Sequence, residues 1–269
     1  METQNESEKL FEQYLNANGF RDRWTYEKEI QGKNKNPDYS LDHCGQTYFF
    51  EVKELRKKDN EPTTRAAHID PYTSLRKVIN EARKQFNEYK EYCCSLVVFN
   101  IDDRQARLVP HIIMGAMLGN LGFSMGFNAD KGEVDTGTAK NVFLDDGKMI
   151  DSKSGRCQNT TISSIIVLEE FHDDSKIQKA ITEEIKKQGK PLTPVEEIEF
   201  IKNYHSSRVT SSFVPRVVVV ENPLARIAFP EDLFVGPFDE HGRWTEENGK
   251  IDRIFAGSKL EELGNLKKS

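Results

Sequence analysis

The feature that most constrains this chain is a pair of short runs with strand-like alternation on either side of Cys44-Gly45, within Asn36–Leu55. A two-residue bend carrying glycine between such runs reads as a β-hairpin. A turn symmetric about Cys44-Gly45 pairs His43 with Gln46 and, because partner numbers keep a constant sum, sets Asp38 opposite Glu51. Side chains alternate faces along a strand, so Glu51 and Lys53 share one face while Phe50 and Val52 point the other way. Directly opposed residues hold their Cβ atoms roughly 4.5–5.5 Å apart. Two ionised carboxylates about 5 Å apart repel by roughly 3 kcal/mol at an effective dielectric of about 20. A fold keeps such a pair where something cationic relieves it, and a divalent metal with the Lys53 ammonium would do so. An ordinary hairpin with polar residues on a solvent face gives the same pattern, so the surrounding chain has to decide.

Pro37-Asp38, twelve intervening residues, then Glu51-Val52-Lys53 resembles the bipartite signature of the PD-(D/E)XK nuclease superfamily. The resemblance implies an α/β, restriction-endonuclease-like fold: an αβββαβ core with a mixed central sheet flanked by helices. It implies Asp38 and Glu51 as ligands of Mg²⁺, with Mn²⁺ as a substitute and the Val52 carbonyl as a further ligand. Lys53 would orient or activate the attacking water and steady charge on the phosphate. The family also places an accessory metal-site Glu on the opening helix, which here favours Glu8 over Glu12. Gln85-x-x-x-Tyr89 resembles a further motif in a subset of these nucleases, making Gln85 a positioner of substrate or of Lys53.

The flanking elements occur in the order this core requires. Asn5 to Gly19 is predicted as a helix with Leu10, Phe11, Tyr14, Leu15 and Ala17 on one stripe. Glu8 lies at the border of that stripe, although Asn5-x-x-Glu8 also fits a capping box that would occupy it locally. Trp24 to Ile30 is a first strand, and Lys33 to Asn36 a polar turn into the hairpin. Arg56 to His68 is charged, aperiodic and broken by Pro62, a loop beside the site. Lys35, Arg56, Lys57 and Lys58 are its candidate phosphate contacts, the alternative being a solvated loop with no role. Asp70-Pro71 starts a helix predicted to run to Tyr92, with Gln85 inside its apolar stripe and so in need of a polar partner. Leu96 to Ile101 is a strand buried on both faces.

Residues 1–105 thus form the expected nuclease core, and residues 106–269 an extension packed on the same domain and adding strands to its sheet. In that extension Pro110 to Leu121 is predicted as a helix, Phe123 to Cys157 as irregular chain, and Thr161 to Leu168 as a strand. Helices follow from Ser175 to Gln188 and from Thr193-Pro194, then a strand over Val217 to Val220 and short pieces from Pro223 to Trp244. Asn128-x-Asp130-x-Gly132 and Asp239-Glu240-His241 are read as turns.

The net charge of −6 argues against coating nucleic acid by bulk electrostatics, but not against a local basic channel. Met1 to Lys9 is polar, with no secretion signal, and no apolar run is long enough to span a membrane. The cysteines show no Cys-x-x-Cys spacing, which fits a reducing cytoplasm. A zinc site built from His43 and Cys44 would need two further ligands that the sequence does not nominate.

Together these readings predict a divalent-metal-dependent nuclease. DNA is the substrate class that the family implies, and no residue identifies a base-reading element or fixes the oligomeric state. Two rivals stand beside it. One is a catalytically inactive nucleic-acid- or protein-binding module on the same fold. The other is a phage-defence effector held inert until a partner such as a helicase, ATPase or sensor releases it.

Overall fold

Local capping opens the first helix, α1 (Glu6–Ala17). The Asn5 side chain accepts the Glu8 N–H at 2.8 Å, and the Glu8 carboxylate returns to the Asn5 N–H at 2.8 Å. This is the reciprocal capping box that satisfies two otherwise orphaned donors. The computed structural model describes residues 4–56, 70–101, 108–151, 154–172, 175–207, 213–245 and 250–261.

Strand β1 (Trp24–Tyr26) stops short of the predicted Ile30, because Glu27 takes a left-handed φ of 44° and turns the chain. The hairpin follows as β2 (Tyr39–His43) and β3 (Gln46–Leu55), with pairs from His43↔Gln46 to Tyr39↔Phe50. Cys44 and Gly45 both have positive φ, 50° and 78°, as the primed hairpin turns require. Helix α2 begins at Thr73 and ends at Phe86, not at Pro71 and Tyr92. The reason is that Asp70 accepts the Tyr72 N–H and the Thr73 hydroxyl at 2.9 and 2.7 Å, making a turn ahead of the helix rather than a cap on it. Strand β4 (Cys93–Asn100) then runs parallel to β3.

Beyond it come α3 (Pro110–Leu118), β5 (Gly119–Asn128) and β6 (Glu133–Asp146). The predicted irregular stretch from Phe123 is therefore corrected to an antiparallel two-stranded sheet. Leu121, Phe123, Met125 and Phe127 do alternate, but glycines between them mask the pattern, since glycine is depleted in strands. All four are 40–65% exposed. The 128–132 segment is a turn as read, with Asn128 Oδ1 accepting the N–H groups of Asp130 and Lys131.

The remaining elements are β7 (Ile162–His172), α4 (Ser175–Gln188), α5 (Pro194–Ser207), β8 (Phe213–Glu221), β9 (Glu240–Thr245) and β10 (Lys250–Ala256). The reading of Asp239-Glu240-His241 as a turn is corrected, because strand β9 starts at Glu240. Asp239 is buried, accepting the Tyr14 hydroxyl at 2.6 Å and the N–H groups of Gly236 and Val217 at 2.7 and 3.0 Å.

The result is a mixed α/β architecture with an eight-stranded sheet in the order β1-β2-β3-β4-β7-β8-β9-β10. The β3–β4, β4–β7 and β8–β9 pairs are parallel and the others antiparallel. Strands from residues beyond 105 therefore continue the sheet that the hairpin begins. One core packs α1 through Phe11 and Tyr14 against Tyr39, Phe50 and Val52, with Phe234 beside them. The other packs α2 and α3 against Phe49, Leu55, Leu96 and Val98. Buried on both faces, β4 reads in sequence as an unbroken apolar run.

Candidate active site

Continuing the hairpin register past Tyr39↔Phe50 sets Asp38 opposite Glu51 and Pro37 opposite Val52. Proline has no N–H, so it cannot complete the ladder there. The Val52 N–H goes instead to the Asp38 side chain, whose Oδ2 accepts it at 2.7 Å. The N–H and C=O of one strand residue point to the same side. The Val52 carbonyl thus also opens beyond the end of β2, next to both carboxylates, with no N–H from Pro37 to receive. The proline and aspartate of this dipeptide act together, one ending the ladder and the other orienting a carboxylate into the gap.

Glu51 and Lys53 project from β3 on the same face as Phe49 and Leu55, the face covered by α2. Lys53 Nζ lies 2.6 Å from Glu51 Oε1 and 4.0 Å from Asp38 Oδ2. The side chains of Glu51, Asp38 and Lys53 are 5%, 18% and 28% exposed, so the group is sheltered yet reachable. Glu51 Oε2 is buried and has no hydrogen-bond partner. Buried polar atoms are nearly always paired, so an orphaned carboxylate oxygen marks a place where a cation or water belongs.

The electrostatics agree. Burial, then the charge of Glu51, pushes the Asp38 carboxyl up to about 7, against the opposing effects of Lys53 and the Val52 N–H. Burial likewise raises Glu51, although Lys53 opposes it. For Lys53, burial works to lower the ammonium pKa, but Glu51 and then Asp38 outweigh it and the net shift is upward. Two carboxylates reluctant to ionise side by side form a donor set that a divalent ion would satisfy.

Glu8 gives one carboxylate oxygen to the capping box with Asn5, and its charge contributes to raising both Asp38 and Glu51. It belongs to α1, which packs on the opposite face of the sheet from α2. Gln85 finds its polar partner in the main chain, donating to the Asn36 carbonyl at 2.8 Å. Tyr89, one turn on, donates to the Lys35 carbonyl at 2.6 Å. The pair therefore grips the segment entering Pro37-Asp38, with no hydrogen bond to Lys53 among the described residues. Lys35 itself is exposed, Arg56 is paired with Glu54 at 2.8 Å, and Lys57 and Lys58 lie outside the described residues.

Several supporting residues carry no local sequence signal. Asn34 N–H donates to Glu88 at 2.8 Å, and Lys33 Nζ bonds the Glu88 carbonyl and, at 2.8 Å, the Glu91 carboxylate. These contacts extend the grip of Gln85 and Tyr89 over the whole turn from Lys33 to Asn36. Glu54 accepts the Ser7 N–H at 3.0 Å and so fastens the start of α1 to β3. The complementary charges of Lys33-Asn34-Lys35 and Glu88-x-x-Glu91 are visible in the sequence, but nothing local says that they meet.

No family model, no curated protein and no solved structure matches this chain. Among the described residues, no helix is long and apolar enough to cross a membrane.

Proposed function

We propose that this chain is a divalent-metal-dependent nuclease of the PD-(D/E)XK kind, hydrolysing phosphodiester bonds in DNA. The observation that carries the reading is the buried, unpartnered Glu51 oxygen beside Asp38 and the Lys53 ammonium. Asp38, Glu51 and the Val52 carbonyl would hold the ion. When bound, Mg²⁺ would neutralise phosphoryl charge and lower the pKa of a coordinated water.

The protein groups have separable tasks. Asp38 is oriented by the Val52 N–H and Glu51 by Lys53, so neither carboxylate has to be ordered when substrate arrives. Lys53 keeps its proton, as its raised pKa requires, and therefore serves as a donor and charge stabiliser rather than as a base. Beyond the N–H given to Glu51 it retains two donors that can meet a phosphoryl oxygen or the attacking water.

A basic groove supports a polyanionic substrate. Arg83, Lys84, Lys90 and Arg226 line a cavity of about 530 Å³ between the end of α2 and the start of β7. Among the described residues, none of the four is ion-paired, which leaves their charge available to phosphates. On this reading the net negative charge of the chain is no obstacle, and a partner protein could deliver substrate.

The test is a cleavage panel on linear, circular and single-stranded DNA and on RNA, with and without Mg²⁺ or Mn²⁺. Metal-dependent cleavage lost in Glu51→Gln supports the proposal. Substrate binding without cleavage under any metal would replace it with the inactive module.

A further inference from the structure

We propose that His43, Cys44 and Asp232 form a Zn²⁺ site at the far end of the same hairpin. It lies about five strand residues, or roughly 17 Å, from Glu51. The site is independent of the nuclease reading and shares no residue with it. Cys44 and Asp232 are 188 residues apart in sequence, yet Sγ lies 3.8 Å from Asp232 Oδ2, and His43 Nε2 lies 3.2 Å from the same oxygen. All three donor atoms fall within 4.8 Å of one another, and this is the sole group of its kind among the described residues.

The spacing is what zinc needs. Zinc–nitrogen and zinc–oxygen bonds of about 2.1 Å and zinc–sulfur bonds of about 2.3 Å, set tetrahedrally, place donors roughly 3.4–3.6 Å apart. The two separations to Asp232, 3.2 and 3.8 Å, straddle that range, and the third lies within 4.8 Å, so side-chain movement of about an ångström closes the set. Imidazole, thiolate and carboxylate together suit zinc and not Mg²⁺, which prefers oxygen ligands alone.

Each donor is also held in place. The His43 ring sits between Phe20 and Tyr48, with centroids at 6.0 and 6.4 Å, and its Nδ1 is buried without a partner. Nε2 is the nitrogen that faces Asp232 and would coordinate. Asp232 is next to Leu233 and Phe234, both fully buried, so its backbone is anchored although its carboxylate is exposed. Cys44 holds a left-handed φ of 50° at a turn position that asparagine and glycine usually fill. Three protein donors leave a fourth position for water or an incoming group. Bound zinc would clip the tip of β2–β3 to the loop before β9.

The test uses the full chain stripped of metal and titrated with Co²⁺ and then Zn²⁺. The expected result is one equivalent of Co²⁺ held by thiolate, beside any bound at Asp38 and Glu51, with a thiolate-to-cobalt charge-transfer band that Zn²⁺ abolishes. Loss of an outer-shell partner alone weakens metal sites by about 10- to 100-fold. Cys44→Ser and Asp232→Asn should therefore weaken Zn²⁺ binding by more than about 100-fold, and Cys44→Ser should remove the band. Cys44→Asn, which tolerates positive φ, keeps the turn should the serine variant fold poorly. Glu51→Gln and Cys157→Ser should leave the band intact. Absence of the band in the native chain, its survival in the Cys44 variants, or its loss in Glu51→Gln would overturn the site.

Discussion

Asp38 accepts the Val52 main-chain N–H at 2.7 Å, at the ladder position where Pro37 has no N–H to return. The carboxylate is therefore part of the sheet's hydrogen bonding as well as of the acidic pair. Asp38→Asn keeps an acceptor for that N–H, while Asp38→Ala leaves it buried and unpaired. An unmade buried hydrogen bond costs about 1–3 kcal/mol. The alanine variant should be less stable than the asparagine variant by that amount in urea unfolding, with cleavage lost in both.

The same carboxyl gives stability a pH dependence whose sign is fixed. Its pKa is about 7 in the fold, against an ordinary value of 3.8, with burial the first cause and Glu51 the second. The folded state thus holds a proton that the unfolded state has released. The corresponding stability is complete below the unfolded pKa of about 3.9 and is lost as pH rises through about 7. In metal-free buffer Asp38→Asn should melt above the native chain at about pH 8 and close to it at about pH 5. Mg²⁺ binds the ionised pair, so its stabilising effect should grow over the same interval and be absent from the variant. Thermal melts with and without Mg²⁺ at both pH values check this.

Glu51 and Lys53 separate catalysis from folding. Glu51→Gln preserves shape but removes a charge, and should lower cleavage by at least about 100-fold with little loss of stability. Lys53→Met leaves Glu51 buried without its counter-ion, a change that costs about 3–5 kcal/mol for a buried pair and less here because Lys53 is partly exposed. That loss should fade on acidification, once Glu51 is protonated. Equal instability at low and high pH would mean that Lys53 acts through packing.

Gln85 and Tyr89 hold the main chain at Asn36 and Lys35, two residues short of the acidic pair. Tyr89→Phe removes a single hydrogen bond and should cost about 1 kcal/mol in stability. Its effect on turnover should be larger, roughly 10-fold or more, since small misplacements of reacting groups are costly. The loss should appear in kcat with KM nearly unchanged, which separates positioning from substrate contact.

The hairpin was legible because its information is local: alternation, a glycine-bearing turn and a constant partner sum fix the register that the coordinates show. The two buried cores follow from the apolar stripes of α1, α2 and β4, which were equally plain. Element ends were less so. Asp70-Pro71 has the composition of a helix start, yet its side-chain bonds make a preceding turn. The β5–β6 sheet was hidden by glycines that break its apolar alternation. What no local pattern held was the long-range pairing: Lys33 with Glu91, Glu54 with Ser7, and Asp232 beside Cys44. Such contacts depend on where the fold delivers each segment, and a single sequence states only what each segment could accept.

The Tyr14–Asp239 bond joins residues 225 positions apart, and Phe234 packs on Phe11, Tyr14 and Phe50 beside it. During synthesis the carboxylate ribbon leaves the ribosome well before the aromatic seat that steadies α1. Before β7 is made, β4 also lacks a neighbour on that side and presents a bare apolar edge, a state that invites aggregation or chaperone capture. A chain cut off before Phe234 and Asp239 therefore carries its acids on a hairpin whose covering helix still lacks that seat.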